Sequence, residues 1–133
     1  MAEKTFKLEI VAPDRRFYEG EAQMVELNTT EGEVGIYAGH IPMTMIIAPG
    51  VLTITEPQGV KKASLISGFM EITQEKITIL AETVEWPDEI DLERAQKAKK
   101  RAQDRLNGHQ DGIDLVRAEA ALKRALTREK VGK

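Results

Sequence analysis

Ile90-Asp91-Leu92-Glu93-Arg94-Ala95 and Ile113-Asp114-Leu115-Val116-Arg117-Ala118 repeat one phrase within the last third of a 133-residue chain. Each copy opens a run rich in Ala, Leu, Lys, Arg and Gln, the residues that lose least on entering a helix. Between the runs lies Asn107-Gly108-His109-Gln110-Asp111-Gly112, a polar breaker with two glycines. Helices joined by so short a turn lie antiparallel, so the pattern predicts a helical hairpin. The inward candidates at helical spacing are Leu92, Ala95, Ala98, Ala102 and Leu106 on the first helix. On the second they are Leu115, Ala118, Leu122, Ala125 and Leu126. Half are alanine. At roughly 25 cal/mol per Å² of apolar surface removed from water, an alanine seam holds two helices more weakly than a leucine seam. Short helices are also marginal alone. The seam fits a hairpin that opens at modest cost, and equally one packed permanently on its own domain.

Upstream the period changes from 3.6 to 2. Phe6, Leu8 and Ile10 alternate with Lys7 and Glu9, and Val25 and Leu27 alternate with Met24 and Glu26. Short runs follow at 43–47, 50–55, 61–66, 69–73 and 76–82, separated by Gly, Pro or polar residues. Eight to ten short strands without an intervening helix predict an all-β sandwich or barrel. The alternation ends near Val84 and Trp86-Pro87 intervenes, which divides the chain into a β domain over 1–85 and a helical hairpin over 86–133. Trp86 is expected to pack as a hydrophobic washer between the two.

Composition narrows the function classes. No apolar run approaches a membrane span, strand-like alternation starts almost at the N-terminus with no secretory signal, and there are no cysteines. Disulfides and thiolate metal sites are thereby excluded, and with only His40 and His109 no metal site is expected. Residues 1–85 carry 7 Lys/Arg against 13 Asp/Glu, whereas residues 86–133 carry 12 against 9. An acidic body with a basic tail suggests that the tail meets something anionic. Nucleic acid is not the expected partner, because the chain as a whole is acidic and has only six aromatic residues. No nucleophile motif, phosphate-cradling glycine loop or metal-ligand spacing is present, so no catalytic residues are assigned.

The most distinctive stretch of the body is Glu31-Gly32-Glu33-Val34-Gly35-Ile36-Tyr37-Ala38-Gly39-His40-Ile41-Pro42. Its glycines permit tight turns around one very short strand, an exposed corner that is either a contact surface or merely solvated. This stretch resembles the signature loop of the ε subunit of bacterial F-type ATP synthases. The resemblance extends to Gly68-Phe69-Met70-Glu71-Ile72, to Ile77-Thr78-Ile79-Leu80-Ala81, and to the Ile-Asp-x-x-Arg-Ala hairpin. Ser67 departs from it, standing where the family usually has the first of two glycines.

The resemblance implies a ten-stranded N-terminal β-sandwich carrying a two-helix C-terminal domain. It implies a non-catalytic central-stalk subunit that joins γ to the c-ring at the cytoplasmic face of a bacterial membrane, peripheral and without insertion. Glu33 and His40 match the family's c-ring contact. The family's helices have a folded state and an extended state that rises along γ to the α and β subunits and inhibits ATP hydrolysis. Lys123, Arg124, Arg128 and Lys130 would supply the basic charge that meets β. No cofactor is required, but some members bind ATP in the folded state. Ile90, Asp91, Arg94 and Ala95 match that motif, and Glu85, Arg101, Arg124 and Arg128 match its supporting positions. The chemistry is consistent, since guanidinium groups converging from two helices clamp phosphates. The alternative is local: Asp91 caps the helix and Arg94 makes a weak surface ion pair beside it.

Overall fold

The computed structural model describes residues 4–108 and 112–132. Eight strands precede the helices: β1 (Phe6–Ala12), β2 (Arg15–Ala22), β3 (Met24–Thr29), β4 (Gly32–Tyr37), β5 (Met43–Ile47), β6 (Gly50–Glu56), β7 (Gly59–Ile72) and β8 (Lys76–Glu85). A single turn of 3-10 helix at Pro87–Glu89 leads into α1 (Leu92–Asn107), and α2 spans Gly112–Val131. The fold is the expected β-sandwich with a helical hairpin, with eight strands where the family resemblance implies ten.

The difference in count comes from long strands. The runs at 61–66 and 69–73 are one strand, β7, and the run at 76–82 extends to Glu85 as β8. β7 survives the Ser67-Gly68 break as a bulge: its pairing with β8 shifts register there and resumes. The residue that the bulge demands is Gly68, at φ +138°, where a Cβ would collide with the Leu80 carbonyl oxygen. Ser67 is accommodated beside it and donates to Glu82 Oε2 at 2.8 Å. β2 likewise runs straight through Gly20.

β2, β1, β8, the second half of β7 and β5 form one layer, and β4, β3, β6 and the first half of β7 the other. β1 and β8 are parallel, from Lys7 opposite Lys76 to Val11 opposite Leu80; every other pairing is antiparallel. Alternation sends Leu8, Ile10, Val25, Leu27, Leu52, Ile54, Leu65, Met70 and Ile79 into the space between the layers, all essentially without exposed surface.

The link to the helices is strapped to β2. Trp86 stacks on Phe17 with ring centroids 4.1 Å apart and meets Tyr18 edge-on at 6.5 Å. Arg15 closes a two-point pair on Glu89 at 2.6 and 2.8 Å, and Glu89 Oε1 also accepts the Trp86 amide at 2.8 Å. Trp86 therefore works as an anchor on the body. α2 packs on β6 and β7 and against α1.

The hairpin seam is made of small residues: Ala95, Ala102, Ala118 and Ala125 are the buried members. Leu92, Leu106, Leu115 and Leu122 are only half-buried. Leu126 is not in the seam; it is 39% exposed, because it sits next to Ala125 and a helix turns adjacent residues about 100° apart. The turn residues His109, Gln110 and Asp111 lie outside the described residues, as does the side chain of Asp114.

Candidate functional site

A cleft of about 470 Å³ opens between α1, α2 and the end of β8. Its existence follows from the seam composition. Ala95, Ala98, Ala102, Ala121 and Ala125 line it, and none has a side chain long enough to fill the space. Around this alanine floor stand Arg94, Arg101 and Arg105 from α1 and Arg124 and Arg128 from α2. Residues 94, 101 and 105 recur at seven and four positions, so one face of α1 carries all three, while 124 and 128 share a face of α2.

Three carboxylates border the cleft: Glu85, Glu89 and Asp91. Each has a partner. Glu85 Oε1 accepts from Arg128 Nε at 2.7 Å, which ties α2 to the last strand of the body. The Arg15 pairing and the Trp86 amide together hold the Glu89 carboxyl down at about 2. Asp91 caps α1, accepting the Arg94 amide at 3.0 Å. The Asp91 carboxylate thus takes the backbone of Arg94, and no ion pair joins the two side chains among the described residues. Lys99 bridges α1 to Glu129 of α2 at 2.9 Å.

The geometry gathers Glu85, Asp91, Arg94, Ala95, Arg101, Arg124 and Arg128 into this one cleft. Ile90 stands apart, buried against the end of α2 at Gly132. Arg105 and Glu89 also line the cleft without having been singled out in the sequence. Arg105 had a local signal, four residues beyond Arg101. Glu89 had none, since its partner Arg15 is 74 positions away.

The other candidate residues are divided. Lys123 and Lys130 lie on a different face of α2 from Arg124 and Arg128, bordering a groove of about 310 Å³ with Asn28, Glu33, Leu126 and Thr127. In the folded hairpin the four basic residues therefore do not form one patch. Glu33 and His40 are also separated: Glu33 is the second residue of β4, whereas His40 follows its far end, with about 13 Å of strand between Glu33 and Tyr37. His40 Nδ1 lies 2.9 Å from the Ile41 carbonyl oxygen. A row of apolar side chains crosses the exposed side of three strands: Ile46 pairs with Phe69 and Phe69 with Leu80. Each is more than half exposed. No helix among the described residues is long and apolar enough to cross a membrane.

Comparison with known proteins finds matches from residue 5 to residue 132. The family model of the ATP synthase delta/epsilon chain β-sandwich domain matches residues 5–87, and that of the delta/epsilon chain long α-helix domain matches residues 88–132. An ATP synthase epsilon chain of Caldanaerobacter subterraneus subsp. tengcongensis is 45% identical over 130 residues, 97% of this chain and 94% of the relative. One from Clostridium novyi is 46% identical over 105 residues, 78% of this chain and 80% of the relative. In fold, the chain superposes with TM-score 0.82 and 23% identity on a chain of the Euglena gracilis mitochondrial ATP synthase, OSCP/F1/c-ring in rotational state 1, covering 95% of this chain and 80% of that one. With both domains matched in order and relatives at 45 and 46% identity, the chain belongs to the ATP synthase delta/epsilon chain family.

Proposed function

We propose that this protein is a non-catalytic central-stalk subunit of a bacterial F-type ATP synthase, joining γ to the c-ring at the cytoplasmic face of the membrane. Its hairpin regulates ATP hydrolysis by exchanging the folded position for an extended one among the α and β subunits, and ATP bound in the cleft favours the folded position. The observation that carries this reading is the cleft itself: guanidinium groups from both helices and a carboxylate of the body converge over an alanine floor. A polyanion held by both helices stabilises only the closed hairpin, so it biases the switch by mass action. The exposed Ile46–Phe69–Leu80 row offers γ an apolar seat on the body. Glu33 and His40 remain the c-ring contact in this reading, as two separate points at opposite ends of β4.

One second reading has specific support. Asp91 as a helix cap and Arg128 paired with Glu85 occupy two clamp residues without a ligand, as expected of a subunit that inhibits without sensing ATP. Calorimetric titration with ATP separates the two readings. Arg124→Ala and Arg128→Ala are each expected to weaken binding at least about tenfold, the loss of a charge-assisted bond to phosphate. Wild-type affinity in both variants removes the clamp, and no binding by the unmodified chain favours the second reading.

A further inference from the structure

We infer that the cleft takes ATP as its metal-free polyanion and that magnesium opposes binding. This rests on the reading of the cleft as a nucleotide site and adds the charge form of the ligand. A magnesium ion keeps several waters and is held in proteins by one or two carboxylates together with the phosphates of its nucleotide. Each carboxylate here already has a basic or backbone partner. Glu85 holds Arg128 at 2.7 Å, Glu89 holds Arg15 at 2.6 and 2.8 Å, and Asp91 holds the Arg94 amide at 3.0 Å. Glu89 has both oxygens in use, and an ion drawn to Glu85 or Asp91 would compete with the α2 tie or the α1 cap.

The uncommitted charge has the opposite sign. Arg94, Arg101, Arg105 and Arg124 line the cleft, and none has an ion pair among the described residues. Planar guanidinium forks match phosphate oxygens directly and need no bridging ion. Magnesium on the outer phosphates would cover the oxygens these forks seek, and would halve the negative charge that draws the ligand to a basic site. Arg105 lies about 6 Å along the helix from Arg101, a step on the scale of a phosphate chain. It extends the row where the outermost phosphates would reach.

Titrating the full chain with ATP, once in excess chelator and once in excess magnesium, tests this. Binding is expected in chelator, with a Kd about tenfold weaker in magnesium. Equal or tighter binding in magnesium overturns the inference and leaves the nucleotide site standing. No binding in either condition removes the site, and the inference with it. The exposed Arg105→Gln variant is expected to keep the helical circular dichroism signal, weaken ATP several-fold in chelator, and narrow the gap between the two conditions. An unchanged gap overturns the part assigned to Arg105.

Discussion

The sandwich and the hairpin are closed by opposite kinds of side chain. Between the β layers, Leu8, Ile10, Leu52, Ile54 and Ile79 have lost all contact with water, each worth about 1.5–3 kcal/mol. Between the helices the fully covered residues are Ala95, Ala102, Ala118 and Ala125, each contributing little more than one methyl group, about 0.8 kcal/mol. The hairpin makes up the shortfall at its margins, with Lys99–Glu129 across the helices, Arg128–Glu85 to the body, and Thr127 and Val131 buried near the end of α2. Partly exposed ion pairs contribute modestly and weaken with salt. A body held by side-chain volume and an appendage held by edge contacts should not come apart together.

The largest effect that would break this comparison is in the body. Leu52→Ala should cost about 2–5 kcal/mol, read as a lower urea midpoint for the sheet signal. A cost under about 1 kcal/mol would mean the two cores are less different than their composition suggests. A smaller effect sharpens the contrast from the other side. Ala118→Leu forces volume into the most fully covered position of the seam and should cost about 1–3 kcal/mol, confined to the helices. The helical circular dichroism should then melt early while the sheet midpoint stays in place. A stabilised hairpin would show that the seam has room to spare.

The smallest effect concerns the strap. The folded pKa of Glu89 is about 2, below its ordinary 4.5, so the fold favours the ionised form. Its contribution is complete above about 4.5 and fades as pH falls toward 2. Trp86 fluorescence should report loosening of the linker across that window at constant temperature. Glu89→Gln should show a loosened linker already at neutral pH and little further change on acidification.

The alternation of Leu8 with Glu9 and of Leu27 with Glu26 made the β body legible, and the repeated Ile-Asp phrase made the hairpin legible. Ser67-Gly68 was not, because a glycine break reads the same whether the chain turns or bulges. Only the register across to Leu80 and Thr83 decides which. Leu126 misled for a simpler reason, being as apolar as its neighbours but on the wrong side of the helix. Most of the cleft was readable only through the family resemblance, which supplied Glu85, Arg101, Arg124 and Arg128, while Arg105 had a spacing signal that went unread. The pairing of Arg15 with Glu89, like the distance between Glu33 and His40, depends on where distant strands end, and no local pattern encodes that.

β7 has a mechanical consequence. Its 14 residues, about 45 Å of extended chain, bond β6 along Gly59–Leu65 and β5 along Gly68–Ile72. A single backbone thus passes from one layer into the other. Sheets stacked only through side chains can slide over one another under load; sheets sharing a polypeptide must stretch covalent bonds or break ladder bonds to do so. A twist applied at one end of the sandwich would accordingly arrive at the other without slack, as in a beam cut from one piece of timber.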